Sequence, residues 1–175
     1  MKTKLCVLAV AAVVIWGMKR HYSDARADDL WWILAPTARA VGALTGTVFV
    51  AVPSEGQVSH ERLFVIEKSC AGINFLAAAF GMLVLTLLHR VRSGLSGAFV
   101  LGSSLLASYA AALVVNATRI TLAMWLADHP SALPALTSAE VHRVEGIVVY
   151  FAGLVLLCEL ARLVERRTCP VERTS

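Results

Sequence analysis

Four residues of this 175-residue chain have side chains that could together do chemistry: Cys70, Asn116, Arg119 and His142. A cysteine thiolate is a nucleophile, but it needs an acid/base partner and a group to hold the negative charge that develops on a reacting carbonyl. A histidine fills the first need. An arginine fills the second, because its planar fork engages two oxygens at once. An asparagine can hydrogen-bond a neighbouring side chain or a substrate carbonyl. Together the four could supply nucleophilic catalysis by a thiolate. Each also has a plainer reading: Cys70 as a small residue at a helix start, Arg119 snorkelling to headgroups, His142 in a solvated loop near Glu140, and Asn116 joining two helices.

The remaining candidates add nothing to that set. Cys6, Cys158 and Cys169 fall on the opposite side of a membrane or inside it under the topology below, which leaves Cys70 as the external cysteine. His21, His60 and His129 fall in loops, and His89 falls in a basic turn. No CxxC, HExxH or Gly-rich phosphate loop is present, so neither a metal nor any other cofactor is expected.

The elements that must position these residues follow from composition. The chain is 58% apolar and 16% charged, with a mean hydropathy of +0.70. Soluble domains average roughly 45–50% apolar and about 25% charged, so a water-soluble globule is excluded. The net charge of +4 comes from lysines and arginines at the ends of apolar runs, with no basic stripe to follow a phosphate backbone. Nucleic acid is therefore not an expected partner. The lipid bilayer is.

A spanning helix needs about 20 mostly apolar residues. The runs at about 5–18, 71–88, 95–115 and 144–164 predict four spans. The first is short and follows Lys2 and Lys4; it reads as an uncleaved anchor, with a signal peptide cleaved near Ala25-Arg26-Ala27 as the alternative. Leu30–Val52 is long enough to cross but holds Pro36 and Arg39. If it does not cross, then Lys2 and Lys4, the His89–Arg92 loop and the tail with Arg162, Arg166, Arg167 and Arg173 all share the cytoplasmic side. An interfacial helix carrying Trp31 and Trp32 fits that parity, and a fifth span is the alternative. Thr47–Val52 and Leu63–Glu67, flanking Pro53-Ser54-Glu55-Gly56 and a polar Gln57–Arg62, predict an external hairpin. The expected fold is an all-α polytopic membrane protein forming one domain over 1–175, with four transmembrane helices, an interfacial helix and a small external β-hairpin across 30–69.

This topology delivers Cys70, Arg119 and His142 to one membrane–water boundary, from the outer ends of three helices. Cys70 falls at a helix N-terminus, where free N–H groups and the macrodipole favour an anion. Asn116 lies one turn below Arg119 on the same helix face.

Ser69-Cys70-Ala71-Gly72 at the mouth of a span, Asn116-Ala117-Thr118-Arg119 on the next, and His142 four residues before Gly146 resemble the three signature blocks of the exosortase/archaeosortase family. The short length and the KSCAGINF and VHRVEG stretches most resemble its exosortase K group, and the similarity runs from about Trp31 to Leu160. The chain has fewer spans than larger members, and Arg143 and Val144 follow the histidine where many carry an acidic or aromatic pair. The resemblance implies a membrane-embedded, sortase-like cysteine protease or transpeptidase of a bacterial inner membrane, with its active site facing the periplasm or exterior. Its implied partners are substrate proteins with a C-terminal sorting signal of the PEP-CTERM kind: a short Pro-containing motif, a transmembrane helix and a basic tail. It further implies Cys70 as nucleophile, His142 as general acid/base and Arg119 as the group that stabilises the oxyanion or orients the thiolate. The competing reading from the residues is a non-catalytic membrane assembly or export subunit, in which the polar residues only join helices.

Overall fold

Lys2–Asp24 form α1, and in the computed structural model this helix is an integral part of the fold. The structure describes the backbone of residues 1–129 and 138–168, and the side chains of 1–129 and 143–166. After α1 come α2 (Trp31–Thr45), three strands, α3 (Ile73–Leu87), α4 (Gly94–Asp128) and α5 (Ser138–Thr168). Three stretches are long and apolar enough to cross a membrane: Lys68–Arg90, Gly94–Asp128 and Arg143–Arg166. They match three of the four expected spans.

α1 lies antiparallel to α3 along most of its length. Near its start, Val7 and Ala11 are buried in one cluster with Phe80, Val84, Val91 and Val100. Near its end, Lys19 Nζ donates to Asn74 Oδ1 at 2.5 Å. Gly97 of α4 makes room for this helix, since a Cβ there would lie 2.8 Å from Val7 Cγ2.

α2 has 15 residues and is not among the stretches long enough to cross. Leu30, Ile33, Leu34, Thr37, Ala38 and Val41 recur at three- and four-residue steps and are all buried, so one stripe of the helix faces the core. Trp31 and Arg39 are exposed. Pro36 would ordinarily disrupt a helix by leaving the carbonyl four residues back without its donor. That carbonyl belongs to Trp32, and the Tyr109 hydroxyl of α4 donates to it at 2.6 Å. The lost backbone bond is thereby replaced by a tether between α2 and α4. Gly46, left-handed at φ +71°, ends the helix with its N–H on the Gly42 carbonyl.

The strands correct one expectation. Instead of a two-stranded hairpin, β1 (Val50–Val52), β2 (Gly56–Ser59) and β3 (Phe64–Ile66) form an antiparallel sheet in the order β1-β2-β3. The central strand lies in the stretch read as a polar loop. β2 pairs on both sides, Val58 with Val50 and with Val65. Ser59 is fully buried and Val58 nearly so, so this segment is held by ladder bonds and burial rather than by its own apolar content.

The other ends of the helices are fastened together. Ser93 and Ser96 form a reciprocal capping box at the start of α4. Glu165 of α5 pairs with His89 at 3.3 Å and Arg90 at 3.6 Å. From this basic end, about 20 residues at 1.5 Å each cover the ~30 Å hydrocarbon core. The count runs from Arg90 back to Cys70, from Gly94 on to about Val114, and from Glu165 back to Glu145. Three separate stretches thus reach one level at the far boundary. The 35 residues of α4 continue past it, so Asn116 and Arg119 sit within that helix rather than at its end as expected.

Candidate active site

The chain enters the site through a 3-10 turn, Lys68–Ala71, that precedes α3. Gly72 caps it in the left-handed region at φ +66°, and a Cβ there would lie 3.2 Å from Asn116 Cγ. Glycine therefore serves twice, allowing the turn and letting α4 approach. Cys70 sits in this turn, ahead of the first residues of α3, and its own N–H is taken by the Glu67 carbonyl at 2.9 Å. Cys70 thus precedes α3 rather than opening it, and its N–H is not one of the free ones at the helix start. The thiol is half-buried, with the Ser69 hydroxyl 3.8 Å from Sγ. Ser69 in turn donates to Glu67 Oε1 at 2.6 Å.

The segment is also anchored to the end of α1. Lys68 Nζ donates to the Ser23 carbonyl at 3.1 Å and lies 5.0 Å from the centre of the Tyr22 ring. The Tyr22 hydroxyl reaches back to the Lys68 carbonyl at 3.4 Å.

Asn116 links the turn to the cations. Its Nδ2 donates a short hydrogen bond to the backbone carbonyl of Cys70, and its Oδ1 accepts the Tyr150 hydroxyl at 2.9 Å. Arg119 Nε approaches the same oxygen at 3.5 Å, and its guanidinium carbon lies 5.5 Å from the centre of the Tyr150 ring. The ring is backed by Phe75 of α3, with centroids 5.5 Å apart. Asn116 is 1% exposed and Arg119 and Glu145 are each 6% exposed, while Cys70 and Tyr150 at the edge of the cluster are partly exposed. Glu145 lies within electrostatic reach of Arg119. Tyr150 lies within similar reach of Cys70. Gly146 packs beside the arginine, where a Cβ would make ordinary contact with its Cδ at 3.8 Å.

Three of the four expected residues, Cys70, Asn116 and Arg119, are thus joined in one network. His142 lies in α5, which begins at Ser138 rather than at the histidine, one turn before Gly146. Its side chain lies outside the described residues, as does Cys169. Among the described residues Cys6, Cys70 and Cys158 are free thiols.

No protein-family model, curated protein or solved structure matches this chain.

Sequence reasoning missed Tyr150 and underrated Glu145. Both carried a signal, since polar groups within an apolar span mark internal contacts. Gly146 and Tyr150 also fall at one- and two-turn steps after His142, on one face of a helix. Beside the segment leading into Cys70 opens a cavity of about 600 Å³, with Arg26, Ser54, Glu55, Val65, Glu67 and Lys68 in its wall.

Proposed function

We propose that this chain is a membrane-embedded cysteine transpeptidase of the exosortase type. It would act on proteins whose C-terminal signal combines a short Pro-containing motif, a transmembrane helix and a basic tail. The observation that carries the reading is the Asn116 bridge, which ties the Cys70 backbone to the buried Arg119 at one level of three apolar helices. The resemblance of the three blocks around Cys70, Arg119 and His142 supports it independently of that geometry.

In this reading α1 is a fourth crossing, supported by its 23 residues and by its course beside α3 from Val7 to Lys19. α2 stays at the interface. The basic end faces the cytoplasm by the distribution of Lys and Arg, which puts Cys70 at the outer face of a bacterial inner membrane. The cavity beside Glu67 and Lys68 would receive the peptide that precedes the substrate's helix.

The reaction runs in two steps. His142 takes the Cys70 thiol proton as the sulfur forms a bond to the scissile carbonyl carbon, with charge on the oxygen balanced by Arg119. The carbon–nitrogen bond then breaks, and the leaving amine takes its proton from His142, the role its motif implies. An acceptor nucleophile, whether water, an amine or a lipid-linked group, gives a proton to His142 as it attacks the thioester, and the departing Cys70 sulfur takes that proton back as the carbon–sulfur bond breaks.

The test is co-expression with a reporter protein carrying such a tripartite tail. Cleavage that needs Cys70, together with a trapped reporter–protein thioester sensitive to hydroxylamine, is the expected result. A reporter processed equally well by Cys70→Ala would favour the assembly-subunit reading, in which the same cluster only joins α3, α4 and α5.

A further inference from the structure

We propose that Tyr150 is a positioning residue for Cys70 and that it acts through Asn116; the proposal rests on the reading of Cys70 as the nucleophile. A side-chain amide presents an acceptor at one end and donors at the other. At Asn116 the acceptor end receives the Tyr150 hydroxyl at 2.9 Å and faces Arg119 Nε at 3.5 Å. The donor end is therefore turned to the Cys70 carbonyl. Turning the amide over would set its oxygen against that carbonyl oxygen and its nitrogen against the guanidinium, a mismatch at two contacts. With Asn116 1% exposed, water has no room to repair it.

The clamp matters because of where Cys70 sits. Its turn is a 3-10 segment that breaks at a left-handed Gly72, so the regular hydrogen bonding of α3 does not determine where the thiol points. What fixes the turn to α4 is the Asn116 bond to the Cys70 carbonyl. Tyr150 is suited to orient that amide, since its ring is held between Phe75 and the Arg119 guanidinium. The Tyr150 hydroxyl thus selects one amide orientation, and that orientation holds the nucleophile.

Tyr150→Phe removes the hydroxyl and keeps the ring. The full-length protein in liposomes would be assayed on the tripartite-tail reporter as wild type, Tyr150→Phe, Asn116→Ala, the double variant and Cys70→Ala. Tyr150→Phe is expected to lower kcat about three- to ten-fold, the effect of one net hydrogen bond, with KM unchanged. Asn116→Ala is expected to lower it further, and the double variant should match Asn116→Ala alone. Hydrogen–deuterium exchange of the segment 67–76 gives a readout that needs no substrate, with faster exchange expected in Tyr150→Phe and Asn116→Ala.

Wild-type kcat in Tyr150→Phe, or a double variant that falls by the product of the two single effects, would overturn the proposal. So would exchange in Tyr150→Phe indistinguishable from wild type. Processing that survives Cys70→Ala would instead sink the transpeptidase reading, and the exchange measurement would then decide the clamp by itself.

Discussion

Asn116 of α4 holds the backbone carbonyl of Cys70, 46 positions earlier in the chain, through its side-chain amide. The contact is close because Gly72 has no Cβ to keep the two helices apart. The site is therefore an interface between helices before it is a set of reactive groups.

That relationship separates two glycines with the same backbone conformation. Gly46 and Gly72 have φ of +71° and +66°, but nothing lies within 4 Å of a Cβ built on Gly46. Alanine in the left-handed region costs about 1–2 kcal/mol. Gly46→Ala is expected to lose stability of that order and keep processing, whereas Gly72→Ala, pressing on Asn116, should lose most processing as well. Melting in detergent and reporter cleavage on the same samples make the comparison. Equal processing by the two variants would show that the close approach is not needed.

Removing the reactive groups should separate chemistry from folding. Cys70→Ala and His142→Ala are each expected to abolish processing while the protein still assembles in the membrane. Arg119→Lys should be severely impaired despite its retained charge, because lysine lacks both the Nε that faces Asn116 and the plane that lies on Tyr150. Near-normal cleavage by Arg119→Lys would reduce the role of Arg119 to a point charge.

The proposed topology places Ser54 and Ser138 outside and Ser93 and Ser175 in the cytoplasm. Single cysteines at these positions, on a background without native cysteines, would be labelled by a membrane-impermeant maleimide in intact spheroplasts. The expected result is labelling of the first pair alone. Labelling of Ser93 and Ser175 alone, with the N-terminus still cytoplasmic, would mean that the stretch from Leu30 to Val52 crosses after all.

The seating of α1 predicts a stability difference between two glycines of α4. A Cβ on Gly97 would lie 2.8 Å from Val7, whereas nothing lies within 4 Å at Gly102. Gly97→Val is expected to destabilise by about 1–3 kcal/mol through overpacking. Gly102→Ala should be neutral or stabilising by up to about 1 kcal/mol, since alanine is the better helix former. Indistinguishable melting of the two variants would show that α1 does not pack against α4 in the membrane.

Much of this was legible in the residues alone, because the membrane imposes a simple rule. A backbone in hydrocarbon must satisfy its own hydrogen bonds, so long apolar runs announce helices, as at 71–88, 95–115 and 144–164. That a helix begins close to Cys70 was also legible, but not the 3-10 turn and left-handed Gly72 that set the cysteine apart from α3. What composition does not encode is partnership across distance. β2 looked like a loop because its stability comes from two neighbouring strands and not from its own side chains. How a helix tolerates Pro36 was not legible, because the donor that replaces the lost bond, Tyr109, lies 77 positions from the Trp32 carbonyl. Tyr150 looked like one more aromatic in a span, and only the crossing of α3, α4 and α5 puts its hydroxyl on Asn116. Local periodicity determines which segments are helices and which face of each is apolar. The identity of the polar atoms that meet between them depends on register and tilt, which many weak packing contacts decide together.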